Sequence, residues 1–366
     1  MSVLAAIAVL GLLIVVHEFG HFAAARLQNI HVNRFAIGFG PVLLRYQGPI
    51  TEYSLRALPL GGFVGFPDDD PESEIEPNDP NLLRNRPILD RAIVMSAGVI
   101  ANFILAYLLI VTQIATVGIP QIHYDPGVVV PEVITNGEIN AAQIAGLESG
   151  DIILAVNQEP LEASSEGVRI LMQRIQASPN QPLTLTVKHN LETLNLQITP
   201  QPGADGAGKI GVTLSPNQTI TRTPASILTA FTSGATEFQR LTGLVVRGFG
   251  SLFLNFQETA GQVASPVKIV EIGATLANSD LSNLFQFGAL ISINLAILNI
   301  LPLPALDGGQ LAFLLVEGLR GKPVPGRIQD GIMQTGIVLL MGLGAFLIIR
   351  DTANLAVIQD LFQERP

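Results

Sequence analysis

The sequence contains neither cysteine nor tryptophan among its 366 residues. Without cysteine, disulfides and thiolate metal sites are excluded. Charged side chains are scarce as well, at 14% of the chain, and the 20 basic residues are outnumbered by 30 acidic ones. Because a net charge of -10 offers no basic patch for nucleic acid, we expect no nucleic-acid partner.

Charges are missing above all from four long apolar stretches. Hydrophobic residues make up 48% of the chain, and the only Asp, Glu, Lys or Arg within these stretches is Glu18. The four stretches are residues 1–25, 92–124, 281–306 and 331–349. Each is near the roughly 20 apolar residues that a transmembrane helix requires. The sequence therefore predicts a polytopic α-helical membrane protein with about four spans in a lipid bilayer.

The first stretch can also be interpreted as a cleaved signal peptide, with the alanines at 23–25 as its cleavage site. However, no Lys or Arg precedes the apolar run, and the run contains His17 and Glu18. Signal peptides have a basic start and a plainly apolar centre. We therefore expect this stretch to be retained as the first span.

Basic residues predict the orientation, because Lys and Arg resist translocation across the membrane. Seven arginines lie between residues 26 and 91, and three more basic residues lie between 320 and 327. We expect both of these loops to be cytoplasmic. The chain is then a multi-pass protein of a bacterial-type plasma membrane, with the region between spans two and three outside the cytoplasm.

Seven acidic residues lie close together between residues 68 and 79, among prolines. Such a composition favours a solvated, flexible loop, with a docking role as the alternative.

The region between spans two and three begins with a predicted soluble domain of mixed α/β structure. Alternating apolar residues at 182–187 and 193–198 indicate strands, and residues 167–176 favour a helix. Residues 145–157 resemble the corresponding run of bacterial PDZ domains, which implies capture of an extended peptide or a C-terminus by strand addition. The alternative is a small β-domain that acts only as a spacer.

The segment after this domain is predicted to be amphipathic. Apolar residues between 223 and 256 are interrupted by Glu237, Arg240 and Arg247. Such charges make a fifth span unfavourable, so we expect a helix at the outer membrane interface.

The first span contains the sequence HEFGH. His17 and His21 are four residues apart, so in a helix both imidazoles project from one face and can bind one ion. Glu18 is then free to deprotonate a bound water molecule. The alternative is chance spacing with histidines packed between helices. We favour the metal site, because ionisable residues inside a span are costly and mark function.

A catalytic zinc site needs a third protein ligand and an open position for water. The candidate is Asp307, at the end of the third apolar stretch, where two prolines break the helix and two glycines follow. Irregular backbone at membrane depth is tolerated where it is buried in protein or lines a wet cavity. Taken alone, Asp307 could also be a turn residue near the cytoplasmic surface.

The HEFGH motif, the PDZ-like insert and the NILPLPALDGG motif together resemble the site-2 protease family of intramembrane zinc metalloproteases, peptidase family M50. The resemblance implies that His17, His21 and Asp307 bind Zn²⁺ and that Glu18 is the general base. It also implies that Asn299 places the substrate or stabilises the oxyanion.

The resemblance extends to weaker motifs. Residues 38–41 and 53–63 are similar to the family's loop that dips into the membrane, with a predicted β-hairpin, and residues 98–102 are similar to its GxxxN motif. Ordinary helix packing explains the second motif equally well. Ser-Pro-Val-Lys at 265–268 departs from the family's Gly-Pro-Val-Gly.

The predicted function is hydrolysis of peptide bonds in or near transmembrane helices of membrane proteins, as regulated intramembrane proteolysis. The substrate is expected to be cut first by another protease. The predicted map is span one with HExxH (1–26), a cytoplasmic-side loop with the hairpin (27–91), span two (92–120), the PDZ-like domain (125–203), an extracytoplasmic amphipathic region (204–280), span three with NxxPxPxLDGG (281–309), a second cytoplasmic-side loop (310–330) and span four (331–350).

Two other function classes remain open from the residues alone. A non-catalytic membrane receptor could use the PDZ-like domain to bind protein tails, but it would have no use for Glu18 beside a structural metal. A transporter would show paired broken helices in two repeated halves, and the sequence offers one such break.

Overall fold

The computed structural model describes residues 2–353, except for residues 71–72, 74, 135–139, 191, 204–205, 256–260 and 262. The chain divides into two compact units. The membrane unit comprises Met1–Val117 and Pro224–Pro366, and the inserted unit comprises Gly118–Thr223.

Among the described residues, four helices of the membrane unit are long and apolar enough to cross a bilayer. They are α1 (Ser2–Leu27), α2 (Ile88–Val117), α7 (Asn283–Ile300) and α9 (Gly326–Ala353). α2 lies at the centre, packed against both α1 and α7. Many of their large apolar side chains face away from the protein, which suits contact with lipid rather than water. The chain is therefore a helical membrane protein.

Between α1 and α2 lies a small sheet built from two bent strands, β1 (Arg34–Gln47) and β2 (Glu52–Gly65). The first part of β1 pairs with both ends of β2, parallel to its start and antiparallel to its end, while the second part of β1 pairs antiparallel with the start of β2. The sheet thus has four segments, in the order 42–47, 52–56, 34–37 and 62–65. The segment 62–65 is an edge of the sheet. The sequence, in contrast, predicts a simple hairpin for this region.

The loop between β2 and α2 is more ordered than its acidic composition suggests. Asp68 pairs with Arg84 at 3.1 Å, and Asp70 pairs with Arg34 at 3.0 Å. Leu82 is buried. Arg84 of the loop itself and Arg34 of β1 neutralise part of the negative charge, and Arg34 holds the described residues of the loop against the sheet. The predicted acidic positions 72 and 74 lie outside the described residues.

The helix α5 (Ile227–Leu254) packs along α2. Gly234 lies against Val111, and the Phe238 ring contacts Phe103 at a centroid distance of 5.9 Å, so the two helices run antiparallel. Phe103 is 14 residues before the end of α2, which corresponds to about 21 Å of helix. The helix α5 therefore lies beside the middle of α2. The sequence, in contrast, predicts that this helix lies at the outer membrane interface.

Two of the three charges of α5 are paired in a way that suits this position. Glu237 and Arg240 form a two-pronged ion pair, with N–O distances of 2.6 and 2.7 Å. Because the two charges neutralise each other one turn apart, neither is presented alone to an apolar surrounding.

The Ser-Pro-Val-Lys segment begins helix α6 (Pro266–Ser279). Ser265 caps the helix by accepting a hydrogen bond from the Lys268 N–H at 3.2 Å, and Pro266 takes the first helical position. The Ser265 N–H donates to Asp351 of α9 at 2.8 Å. The departure from the family motif therefore forms a helix start that is tied to α9.

The third span ends in an irregular stretch. α7 ends at Ile300, and the next helix, α8 (Asp307–Arg320), begins after a gap at residues 301–306. The two prolines lie in this gap, and Ala305 adopts a positive φ of 68°. The break places Asp307 at the first residue of a new helix.

The inserted unit is built on an antiparallel sheet with the strand order β10-β3-β4-β6-β7. These strands are β3 (Ile119–Val133), β4 (Ile152–Val156), β6 (Leu183–His189), β7 (Glu192–Ile198) and β10 (Val212–Thr223), with β5 (Glu159–Pro160) paired to β4. The short strands β8 (Gln201–Pro202) and β9 (Gly208–Lys209) form a separate pair, and the helices are α3 (Ala141–Ala145) and α4 (Gly167–Gln176).

The inserted unit has its own aliphatic core, which includes Val128, Ile153, Leu171 and Leu185. It extends to Thr223, whereas the sequence places the end of the domain at residue 203. The difference arises because β10 pairs with β3, which begins some ninety residues earlier. Local periodicity does not report such a long-range pairing.

Candidate active site

The structure brings two histidines and one aspartate to a single point in the membrane unit. His17 and His21 are one turn apart on α1, and their Nε2 atoms are 3.3 Å from each other. Asp307 Oδ2 lies 3.3 Å from each of these two nitrogens. Both histidines are buried. The three atoms thus form a nearly equilateral triangle.

This triangle fits a tetrahedral zinc ion. With Zn–ligand bonds of about 2.0–2.1 Å, tetrahedral geometry places neighbouring ligand atoms about 3.3–3.4 Å apart. Within the described chain, Asp307 Oδ2 is a buried oxygen without a hydrogen-bond donor. Two imidazoles and one carboxylate are a donor set that catalytic zinc sites use, with the fourth position left for water.

The protonation of His21 suits the same role. Its Nδ1 lies 2.8 Å from the Val94 carbonyl oxygen, which can only accept a hydrogen bond. The Nδ1 atom of neutral His21 therefore carries the proton, and the Nε2 lone pair points into the triangle.

Glycine allows α2 to approach the two imidazoles. A Cβ atom on Gly98 would lie 2.2 Å from His21 Nε2 and 2.8 Å from His17 Cε1. These distances are far shorter than ordinary contacts, so any side chain here would displace the histidines. The Gly98 position in the GxxxN motif thus has a direct steric reason at the site, beyond general helix packing.

Glu18 faces the same region but is not part of the triangle. A cavity of about 480 Å³ is lined by Glu18, His17, His21 and Asp307. A Cβ atom on Gly62, in the edge segment of the β1–β2 sheet, would lie 2.8 Å from Glu18 Cγ. The glutamate therefore lies in the same cavity as the triangle and against the edge segment of the sheet.

The cavity wall is partly polar. Arg91 of α2 and Glu317 of α8 line it and form a largely buried ion pair with each other. This pair connects α2, which contacts the histidines, to the helix that carries Asp307.

Asn299 also reaches the triangle. Its side chain is buried near the end of α7, and its Nδ2 atom lies 3.3 Å from His17 Nε2. An amide donor is thereby aimed at the space next to the three candidate ligands.

All five residues that the sequence singles out lie together: His17, Glu18, His21, Asn299 and Asp307. Sequence reasoning includes Gly62 only within the membrane-dipping loop, so it misses the contact of Gly62 with Glu18, and it misses the Arg91–Glu317 pair. It leaves open whether the GxxxN motif has a direct role or only packs helices, and the structure shows Asn102 fully buried with its Nδ2 atom 3.2 Å from His17 Nδ1. The other two depend on long-range packing and have no local signature.

The chain is similar to known proteins over most of its length. The chain matches peptidase family M50 over residues 5–343. It is 59% identical over 368 residues to a Nostoc protein named as a zinc metalloprotease, covering 99% of this chain and 100% of that protein. It is 50% identical over 363 residues to the membrane metalloprotease ARASP, chloroplastic, of Arabidopsis thaliana, covering 98% of this chain and 80% of the relative.

A more distant relative is the regulator of sigma-W protease RasP of Bacillus subtilis, 28% identical over 93% of this chain and 95% of that protein. A solved PDZ domain of an SdrC-like protein from Listeria monocytogenes matches 24% of this chain and 86% of its own length, with 20% identity and a TM-score of 0.21. The extent of the family match, over nearly the whole chain, shows that the chain belongs to peptidase family M50, the site-2 protease family.

Proposed function

We propose that this membrane zinc metalloprotease hydrolyses peptide bonds in or near the transmembrane helices of membrane proteins, with the triangle as its metal site and Glu18 as its base. The observation that carries the proposal is the 3.3 Å spacing of His17 Nε2, His21 Nε2 and Asp307 Oδ2, with a carboxylate beside it. A receptor whose metal is only structural would have no use for Glu18 at that place.

The residues of the site have distinct tasks. A bound Zn²⁺ ion supplies Lewis acidity, which polarises the scissile carbonyl and acidifies a water molecule. Glu18 accepts a proton from the attacking water and passes it to the leaving amine. Asn299 donates from Nδ2 to the oxygen that gains negative charge, since that amide already points to the triangle.

The edge segment 62–65 offers a way to hold the substrate. A transmembrane helix keeps its carbonyls in its own hydrogen bonds, so it must unwind before its backbone can be attacked. An unwound segment can add as a strand to this edge of the β1–β2 sheet. Because Gly62 abuts Glu18, a strand bound there would pass directly by the proposed base.

The β1–β2 sheet has a surface that suits contact with the membrane. Leu43 and Leu44 are 62% and 67% exposed, and Tyr46 is 68% exposed. We propose that this face dips into the bilayer. The proposed metal site then lies in the cytoplasmic half of the bilayer, because the seven arginines between residues 26 and 91 favour a cytoplasmic loop.

The same orientation places the inserted unit outside the cytoplasm, where it can act on substrates that another protease has already shortened. We propose that it does so as a PDZ-like domain, either by excluding bulky substrates or by binding a new C-terminus. The membrane is a bacterial-type plasma membrane in this proposal. Because ARASP carries a chloroplastic name, a photosynthetic membrane is the alternative that fractionation would reveal.

The test uses the purified full chain with Glu18→Gln and His21→Ala, and His31→Ala as a control, because His31 pairs with Asp79 in the loop. Bound zinc and cleavage of a model transmembrane peptide are measured for each. We expect Glu18→Gln to keep zinc but lose cleavage by about 10²–10⁴-fold, and His21→Ala to lose both. Wild-type cleavage by Glu18→Gln contradicts the mechanism, and a wild type without stoichiometric zinc contradicts the metal site.

A further inference from the structure

Asn102 of α2 is a fully buried amide in direct contact with His17. Its relative exposure is 0%, and its Nδ2 atom lies 3.2 Å from His17 Nδ1. This nitrogen is the one that faces away from the triangle. The Asn102 side chain therefore contacts His17 at the ring nitrogen opposite the triangle, as the Val94 carbonyl oxygen contacts His21.

The direction of this hydrogen bond decides which His17 nitrogen can bind an ion. If Asn102 donates through Nδ2, the neutral imidazole carries its proton on Nε2, and that atom has no lone pair for a metal. If the amide is rotated by half a turn, Oδ1 takes the place of Nδ2 and accepts from Nδ1–H. The two orientations occupy the same space, and the hydrogen-bond network decides between them.

The surroundings permit the rotated amide. Asn102 Oδ1 has no hydrogen-bond partner among the described residues, so rotation breaks no bond of that oxygen. The backbone at this position is fixed independently, because the buried Ser292 hydroxyl of α7 donates to the Asn102 carbonyl at 2.8 Å. The amide can therefore turn without moving the helix.

We propose that Asn102 is a positioning residue that accepts a hydrogen bond from His17 Nδ1–H and so holds the Nε2 lone pair of His17 toward the triangle. The inference rests on the proposed zinc site. It assigns matching partners to the two histidines, a backbone carbonyl for His21 and a side-chain amide for His17. Removal of such a partner typically weakens metal binding about 10–100-fold.

The test measures zinc affinity of the purified full chain by competition with a chelator. The variants are Asn102→Ala, which removes the acceptor, and Asn102→Asp, which keeps an acceptor in the same place. Ser292→Ala is the matched control, because it removes a buried hydrogen bond to the same residue without touching the amide. We expect Asn102→Ala to bind zinc about 10–100-fold more weakly, with Asn102→Asp and Ser292→Ala near wild type.

A second readout is the tautomer of His17, followed by ¹⁵N NMR of histidine-labelled, zinc-free protein. Wild type and Asn102→Asp should keep the proton on Nδ1, and Asn102→Ala should give a mixture. Equal zinc affinity in wild type and Asn102→Ala overturns the inference. So does an Asn102→Asp variant as weak as Asn102→Ala, because packing alone would then explain the loss. If wild type binds no zinc, the proposed function itself fails.

Discussion

The interiors of the two units of this protein differ in polarity. The core of the inserted unit is aliphatic, and the one polar side chain buried there, among the described residues, is Asp151. The membrane unit buries apolar side chains as well, but it also has a polar centre that includes His17, His21, Asn102 and Asn299, and many of its large apolar residues point outward. The inserted unit thus keeps its aliphatic side chains from water, and the membrane unit keeps these polar side chains from lipid.

The difference separates stability from function. In water, burial of aliphatic side chains supplies most of the free energy of folding. In a bilayer the lipid is as apolar as the side chains, so close packing and hydrogen bonding hold the helices together. A polar centre in the membrane unit can therefore be arranged for chemistry. We expect substitutions there to reduce activity first and substitutions in the core of the inserted unit to reduce stability first.

Among substitutions outside the proposed ligands and base, the largest effect on activity is expected from Gly98→Ala. The added Cβ would overlap His21 Nε2 and His17 Cε1, so both imidazoles must move by about 1 Å, a shift that can cost about 100-fold in rate. Zinc content and cleavage of a transmembrane peptide should fall together, while the helical circular dichroism stays unchanged. Gly11→Ala on α1 is the control, since its Cβ would meet nothing within 4 Å. Global unfolding of Gly98→Ala would contradict the expectation that substitutions at the polar centre reduce activity before stability.

In the inserted unit the expected loss is in stability. Leu171 of α4 is fully buried, and Leu171→Ala should lower the free energy of unfolding of this unit by about 2–5 kcal/mol. Hydrogen exchange of the β4 and β6 amides in the full chain measures this. Met172, the next residue, is 44% exposed, so Met172→Ala should change it by less than about 0.5 kcal/mol. Loss of zinc from the membrane unit of Leu171→Ala would show that the units are coupled.

Sequence reasoning reached the centre of the membrane unit because its signals are local. The spacing of His17 and His21 has meaning as soon as the segment is a helix, and Asp307 stands out at the end of an apolar stretch. Helix α4, predicted over residues 167–176, is found with the same bounds. Such features need only a few neighbouring residues.

The remaining features depend on residues far apart in the chain. β10 joins the sheet of the inserted unit through β3, and the bends of β1 and β2 create an edge at 62–65. The position of α5 beside α2 follows from packing and from the Glu237–Arg240 pair. Periodicity and composition describe single segments, so they could not supply these pairings.

The ion pair between Arg91 and Glu317 tests whether charge in the membrane unit also serves stability. Arg91→Met leaves the glutamate without its partner and should destabilise the unit by about 1–3 kcal/mol. The double variant Arg91→Met/Glu317→Leu should recover much of this, since neither charge then remains unpaired. Thermal unfolding in the same detergent compares the three proteins. If the double variant is the least stable, the attraction between the two charges outweighs the free-energy cost of burying them.

The smallest effect concerns His189 at the surface of the inserted unit. A hydrogen bond from its Nδ1 to Asp151 Oδ1 at 2.6 Å raises the pKa of His189 above its ordinary value. A group whose pKa is raised by folding adds stability that is complete below the unfolded pKa, about 6.5, and is lost as pH rises through the folded value. Hydrogen exchange of β6 should therefore report a less stable unit at pH 8.5 than at pH 5.5. His189→Gln should remove most of that difference, and a difference of unchanged size would mean that another group titrates.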